Sequence, residues 1–272
     1  MNRRSRDPLS PVGGEGQGEA AQTRFDDAHP FPFPCRERGS PAHFHGGGGA
    51  RDREPWLSRS LALAILGALA FRALCYALMT AAAVWAERRP APGALPDLVL
   101  QALPYLEGAA RGNYILWLAL YLPLALVFLA TEPLRWVRYM VTGGLVSLAR
   151  GLTIALTGLG PPDPAHAGPG LGDRSALQAW LELVSPWGVF ARGSAQAYLT
   201  KDLFFSGHTA TTFLLVLYLW PRRRLRWIAL AAHLVVVASV LLARLHYTID
   251  VVGAWAVTFA VFALREWRPA TR

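Results

Sequence analysis

Long apolar blocks separated by short polar links run through most of this chain. About 20 apolar residues cross a bilayer as a helix. Six stretches reach or approach that length: 58–85, 113–131, 136–157, 203–220, 227–243 and 247–264. Lipid offers nothing to hydrogen-bond a free N–H or C=O, so each stretch is expected to be helical. The predicted fold is all-α, a polytopic membrane bundle of about six transmembrane helices.

Residues 1–55 follow another pattern. They are Gly, Pro, Arg and acidic residues without apolar periodicity, and they read as a disordered basic N-terminal tail. The run Phe31-Pro32-Phe33-Pro34 reads as linker. No apolar stretch lies near Met1, so no cleavable signal peptide is expected, and block 58–85 is long enough to serve as an uncleaved anchor. Residues 56–268 form the predicted six-helix catalytic domain. Its longest link, 158–202, opens rich in Gly and Pro. Within it Leu177, Trp180, Leu181 and Val184 fall at helical spacing, which predicts a short helix over 175–187. That helix either lies in the membrane interface or packs on the bundle.

Composition sharpens this picture. Of 272 residues 53% are hydrophobic, and the formal net charge is +9, carried almost wholly by Arg. A basic chain raises the question of nucleic acid. Here most of the Arg sits at the ends of apolar blocks, so no nucleic-acid partner is expected and the expected surroundings are membrane lipids. Arg3, Arg4, Arg6, Arg51 and Arg53 precede the first block, Arg135 and Arg138 follow the second, and 222–226 joins the fourth to the fifth. Arg265, Arg268 and Arg272 follow the sixth. With six spans these regions share one side, which should be cytoplasmic. The links 87–112, 158–202 and 244–246 then face outward, although Arg88, Arg89 and Arg111 dilute the asymmetry. Cys35, in the tail, and Cys75, in an apolar block, make neither a disulfide framework nor a metal site.

Polar residues gather at the outer ends of three helices: Arg150 near the end of the third, Ser206-Gly207-His208-Thr209 opening the fourth, and Arg244, His246 and Asp250 opening the sixth. His246 and Asp250, four apart, share a helix face. A carboxylate so placed can hold one imidazole nitrogen and leave the other free as a nucleophile. His208, from another helix, can act as general acid. Arg150 and Arg244 can hold a phosphate, and the helix opening at Ser206 and Gly207 presents free N–H groups to an anion. Each has a plainer reading. An i, i+4 His/Asp pair can be a cap or half of a metal site, and Arg244 alone reads as an interface marker. His233 reads as a structural hydrogen-bonding residue. Arg72, in mid-block, calls for a partner on another helix or marks a misplaced boundary. A metal site would have to recruit the remote His166 and Asp163, so no metal is expected. Three ionisable residues at one depth beside lipid read as functional by default.

Phe204-Phe205-Ser206-Gly207-His208-Thr209 and His246-Tyr247-Thr248-Ile249-Asp250-Val251 resemble motifs of the type 2 phosphatidic acid phosphatase superfamily. Arg150-Gly-Leu-Thr153-Ile-Ala-Leu-Thr157, followed by Pro161-Pro162, looks like a segment of its sphingomyelin synthase-like branch. The likeness covers about residues 110–265. It implies a six-helix fold and metal-independent phosphoryl chemistry through a phosphohistidine, with no cofactor. By position, His246 is the nucleophile, Asp250 orients it and His208 protonates the leaving group. The superfamily's Lys-x6-Arg-Pro is absent here, Ser239 is followed by Val240 where the phosphatases have Ser-Arg, and Phe205 replaces the Pro before Ser-Gly-His. The candidate phosphate-binding cations are therefore Arg150, Lys201 and Arg244, and these departures suit the synthase-like branch.

The implied activity is transfer of a phospho-headgroup to a lipid alcohol such as ceramide or diacylglycerol. Hydrolysis of a lipid phosphate or isoprenoid diphosphate would use the same site. An intramembrane serine protease built on Ser206 lacks the Gly-x-Ser-Gly context and leaves Asp250 without a role. A non-catalytic transporter would not need His208, His246 and Asp250 together. The placement of Arg predicts a protein integral to the cell membrane with its active site on the non-cytoplasmic face. In intact cells an impermeant thiol reagent should label Gly170→Cys and spare Arg223→Cys; the reverse result would turn the site inward.

Overall fold

An apolar block in lipid satisfies its own backbone only as a helix, and five of the six predicted blocks are helices long and apolar enough to span a membrane. The computed structural model describes residues 58–90, 93–185 and 199–266, all within the unit His45–Pro269. The predicted tail 1–55, residues 186–187 of the short link helix, Arg268 and Arg272 lie outside the described residues. Among the described residues the helices are α1 (Arg59–Glu87), α2 (Leu98–Ala102), α3 (Glu107–Thr131), α4 (Pro133–Leu156), α5 (Ala176–Val184), α6 (Gly207–Leu219), α7 (Leu225–Leu242) and α8 (Thr248–Glu266), with a 3-10 turn at Pro164–His166. Among the described residues there is no strand, and the all-α membrane bundle stands.

Two boundaries differ from the sequence reading by four residues or more. Helix α3 starts six residues early, because Glu107 and Arg111, a solvated i, i+4 pair, extend it beyond the apolar stretch. Block 203–220 is helical only from Gly207, which leaves 13 residues, or about 20 Å. Residues 203–206 enter the bundle as irregular backbone. Such backbone survives at membrane depth only when the protein supplies its hydrogen bonds, and here Asp250, Arg150 and Thr153 supply them.

Helix α6 lies inside the bundle against α3, α4, α7 and α8. Helix α1 runs along α4 at close range. The approach depends on small residues one turn apart on α4: Gly143, Ser147 and Gly151, with Gly144 beside them. A Cβ on Gly151 would lie 3.0 Å from the Cα of Met79, and one on Gly144 would lie 2.7 Å from the Phe71 ring. Small residues at four-residue spacing let membrane helices approach in this way. The Arg72 guanidinium lies directly over Gly143, so the mid-block arginine occupies a slot that a missing side chain provides. The short link helix α5 packs on α1 through Val84, Ala179 and Leu183, and Trp180 Nε1 donates to the Ala77 carbonyl (2.8 Å). Leu177 and Leu181 remain exposed.

Asp97, which the sequence reading passed over, joins two helices. Its Oδ1 accepts from the N–H groups of Val99 and Leu100 and caps α2. Its two oxygens also take the Thr248 N–H (2.7 Å) and hydroxyl (2.9 Å), which caps α8. Burial pushes the Asp97 carboxyl up, but hydrogen bonds from Thr248, Leu100 and Val99 outweigh it and hold it below its ordinary range.

Two predictions follow from this packing. Gly151→Ala should cost about 1–3 kcal/mol by overpacking. Gly112→Ala, where nothing lies within 4 Å, should be neutral or stabilising; equal thermal midpoints for the two in detergent would refute the close α1–α4 contact. Asp97→Ala should cost about 1–3 kcal/mol, as the loss of two caps. Because the folded carboxyl is depressed, that contribution is complete above the unfolded value of about 4. It is lost as pH falls through the lower folded value. The midpoint gap between Asp97→Ala and the parent should therefore be wide at neutral pH and narrow in acid; a gap independent of pH would exclude the charged cap.

Candidate active site

The site forms where the irregular entry to α6 meets the start of α8. Asp250, in the first turn of α8, is fully buried. Its Oδ2 lies 3.1 Å from His246 Nδ1 and accepts the Tyr247 N–H (3.1 Å), while Oδ1 accepts the Phe204 N–H (3.2 Å). Its main-chain carbonyl accepts the Ser206 N–H (3.1 Å). A buried carboxylate needs such partners. An acceptor at Nδ1 places the His246 proton there and leaves Nε2 unprotonated, with its lone pair available to an electrophile.

Ser206 is the N-cap of α6. Its hydroxyl oxygen is buried and accepts from Thr209 Oγ1 (3.0 Å) and the Thr209 N–H (3.4 Å). The side chain is thus a cap, and any anion at this end would meet main-chain N–H groups instead. Arg150 comes up from α4 beside Gly207, where a Cβ would lie 3.3 Å from the guanidinium. Its Nε donates to the Phe205 carbonyl (2.7 Å) and Nη2 to the Asp202 carbonyl (3.1 Å), with an ion pair to Asp202 Oδ1 (2.8 Å); Nη1 points at Met79 Sδ (3.2 Å). Thr153, one turn on, donates to the Phe204 carbonyl (2.8 Å). The segment that begins at Arg150 therefore supports the backbone of the Ser-Gly-His stretch.

His208 sits on the first turn of α6, half-buried, within Coulombic reach of His246 and Arg150. Among the described residues its imidazole makes no hydrogen bond. Its ring neighbours are Trp117 and Tyr114 on α3, both perpendicular to it.

The structure brings together His208, His246, Asp250, Arg150, Ser206 and Gly207. The other two candidate cations are engaged elsewhere. The Lys201 ammonium donates to the carbonyls of Glu87 (2.8 Å) and Arg89 (2.5 Å) at the end of α1. Arg244, at φ 53°, donates to the Leu103 carbonyl (3.1 Å) and lies 3.6 Å from Asp163 Oδ2. Asp163 also pairs with His166 (3.0 Å). Burial raises its carboxyl, but the His166 hydrogen bond and the Arg244 charge hold it below the usual range. His233 donates from Nδ1 to Thr212 Oγ1 (2.8 Å) and accepts from Trp255 Nε1 (2.9 Å), the structural role expected of it. Among the described residues no three His, Cys, Asp or Glu side chains group as metal ligands.

Two supporting residues had escaped notice. Glu87 is nearly buried, and its carboxylate accepts from the N–H groups of Thr200 and Lys201 and from the Thr200 hydroxyl. It anchors the chain that leads into Asp202. Tyr247 donates its hydroxyl to the Gly160 carbonyl (3.0 Å), which ties the end of the Arg150 segment to the His246 stretch. An acidic residue closing an apolar block was the available signal for Glu87.

Known proteins match the sequence that carries these residues. Residues 201–267 match the model of the PAP2 superfamily C-terminal family, a span that holds both histidines and Asp250. The chain is 28% identical over 178 residues to "Sphingomyelin synthase-related 2" of Caenorhabditis elegans, covering 62% of this chain and 54% of that protein. It is 27% identical over 141 residues to "Phosphatidylinositol:ceramide inositolphosphotransferase" of Trypanosoma cruzi (strain CL Brener), covering 50% of this chain and 40% of that protein. The chain thus spans about half the length of these relatives. The resemblance carried by the Ser-Gly-His and His-Tyr-Thr-Ile-Asp stretches holds: this membrane protein matches the PAP2 superfamily C-terminal family over residues 201–267 and is similar to sphingomyelin synthase-like proteins.

Proposed function

We propose that this chain is an integral-membrane lipid phosphotransferase that moves a phospho-headgroup to a lipid alcohol such as ceramide or diacylglycerol. The observation that carries the reading is the His246–Asp250 pair, whose fully buried carboxylate fixes Nδ1 and leaves Nε2 as nucleophile. His246 Nε2 attacks the phosphorus, the P–O bond to the departing lipid oxygen breaks, and His208 delivers a proton to that oxygen. The acceptor hydroxyl then gives its proton to His208, forms the new P–O bond and releases His246. The N–H groups opening α6 face the phosphate, with Arg150 behind them as a fixed positive charge. The headgroup-transferase name of one relative favours a lipid alcohol over water as acceptor. The placement of Arg supports a site at the non-cytoplasmic face.

The test is to trap the covalent intermediate with a phosphorus-labelled ester that carries an acidic leaving group. His246→Ala should abolish the labelled protein. His208→Ala should still form it, since such a leaving group needs no proton. Asp250→Asn should fold but lose about 10²–10⁴-fold in rate, because the amide can present its N–H and favour the wrong tautomer. Label retained by His246→Ala and lost by His208→Ala would reverse the two roles.

A further inference from the structure

The three membrane histidines are held in three ways. His246 leans on a carboxylate, and His233 is fixed at both nitrogens. His208 makes no hydrogen bond among the described residues, and two aromatic rings pack against it. Trp117, half-buried on α3, lies 5.2 Å from it between ring centroids at 87°, and Tyr114 lies 6.5 Å away at 86°. Both distances and angles are those of favourable edge-to-face pairs.

Trp117 is itself braced. Its ring stacks on Tyr121, one turn along α3, at 5.2 Å and 5°. Tyr121 accepts a hydrogen bond (2.8 Å) from the buried hydroxyl of Tyr139 on α4. The indole Nε1 is buried without a hydrogen-bond partner among the described residues, so the ring's faces and edges, rather than its N–H, fix its place. Residues 114, 117 and 121 share one face of α3. A column of rings thus runs from α4 through α3 to the first turn of α6 and ends on the imidazole.

We propose that Trp117 is the positioning residue for the general acid: it holds the His208 imidazole where its proton reaches the leaving oxygen. This rests on the proton-donor role proposed for His208. A general acid with no hydrogen bond to orient it would sample several χ2 settings, and a misplacement of about 1 Å can cost about 10²-fold. The perpendicular packing of a braced indole against the imidazole removes that freedom without using either imidazole nitrogen, which stay available to take and give the proton.

The experiment compares rates of phospho-enzyme formation for the full chain in detergent. One substrate is a phospholipid, whose alkoxide leaving group needs a proton; the other is a lipid phosphate ester of a nitrophenol, which does not. His208→Ala is measured first. If its loss is equal on both substrates, the acid assignment itself fails. Given a loss confined to the phospholipid, Trp117→Leu should lower the phospholipid rate by about 10- to 100-fold and the nitrophenyl rate by less than about threefold. Trp117→Phe, which keeps a ring against His208, should recover most of the phospholipid rate. A residue that merely supports the fold would lower both rates together. Equal losses on both substrates, or no loss on either, would overturn the proposal while leaving the role of His208 intact.

Discussion

One buried carboxylate organises this end of the molecule. Asp250 is shielded from water, and an uncompensated charge there would cost several kcal/mol. Its partners come from two elements: His246 and the Tyr247 N–H just before α8, and the Phe204 N–H on the irregular entry to α6. Removing any of them leaves an acceptor without a donor, so the arrangement is held together by the cost of breaking it. The same set of contacts selects the His246 tautomer. The site's preorganisation and its local stability are therefore one feature and cannot be adjusted separately.

This explains why the fourth block begins as irregular chain. A helix continued back through 203–206 would satisfy its own backbone and leave Asp250 without the Phe204 and Ser206 N–H groups. Breaking it frees carbonyls as well, and Arg150 and Thr153 reach across from α4 to take them. The sequence reading gave Arg150 to a phosphate because a guanidinium suits one. In the fold its nitrogens are directed at protein atoms: the carbonyls of Phe205 and Asp202, the Asp202 carboxylate and the Met79 sulfur. A charged residue buried here serves backbone geometry first.

How much was legible follows from the same distinction. The six apolar blocks, the Ser-Gly-His turn and the His246–Asp250 spacing are local patterns, and local patterns survive in a single sequence. The small-residue face of Gly143, Ser147 and Gly151 was equally local; its four-residue spacing was open to reading. Asp97 and Glu87 were harder. Each acts on a segment more than 100 residues away, Asp97 on Thr248 and Glu87 on Thr200, and nothing beside them in the chain specifies those partners. Arg72 was visible as an anomaly, but its explanation lay in the absence of a side chain on another helix. The early start of α3 was hidden because hydropathy measures the lipid-facing part of a helix and not its hydrogen bonding.

The opposite end of the bundle shows why the site can depart from regular helix without loosening the whole. There Tyr218 donates to Glu266 (2.8 Å) and Arg138 pairs with the same carboxylate, joining α4, α6 and α8. Thr142 hydrogen-bonds the same tyrosine (2.8 Å). Glu132, between α3 and α4, binds both Arg135 and Arg222, which brings in the α6–α7 turn. Burial raises the Glu132 carboxyl, but the two arginines outweigh it and hold it below its ordinary range. Exposed ion pairs contribute little singly, but here they tie short links between helices already packed along their length. With this end fixed, α6 needs only 13 helical residues, and its other end is free to open into the backbone turn from which the site is built.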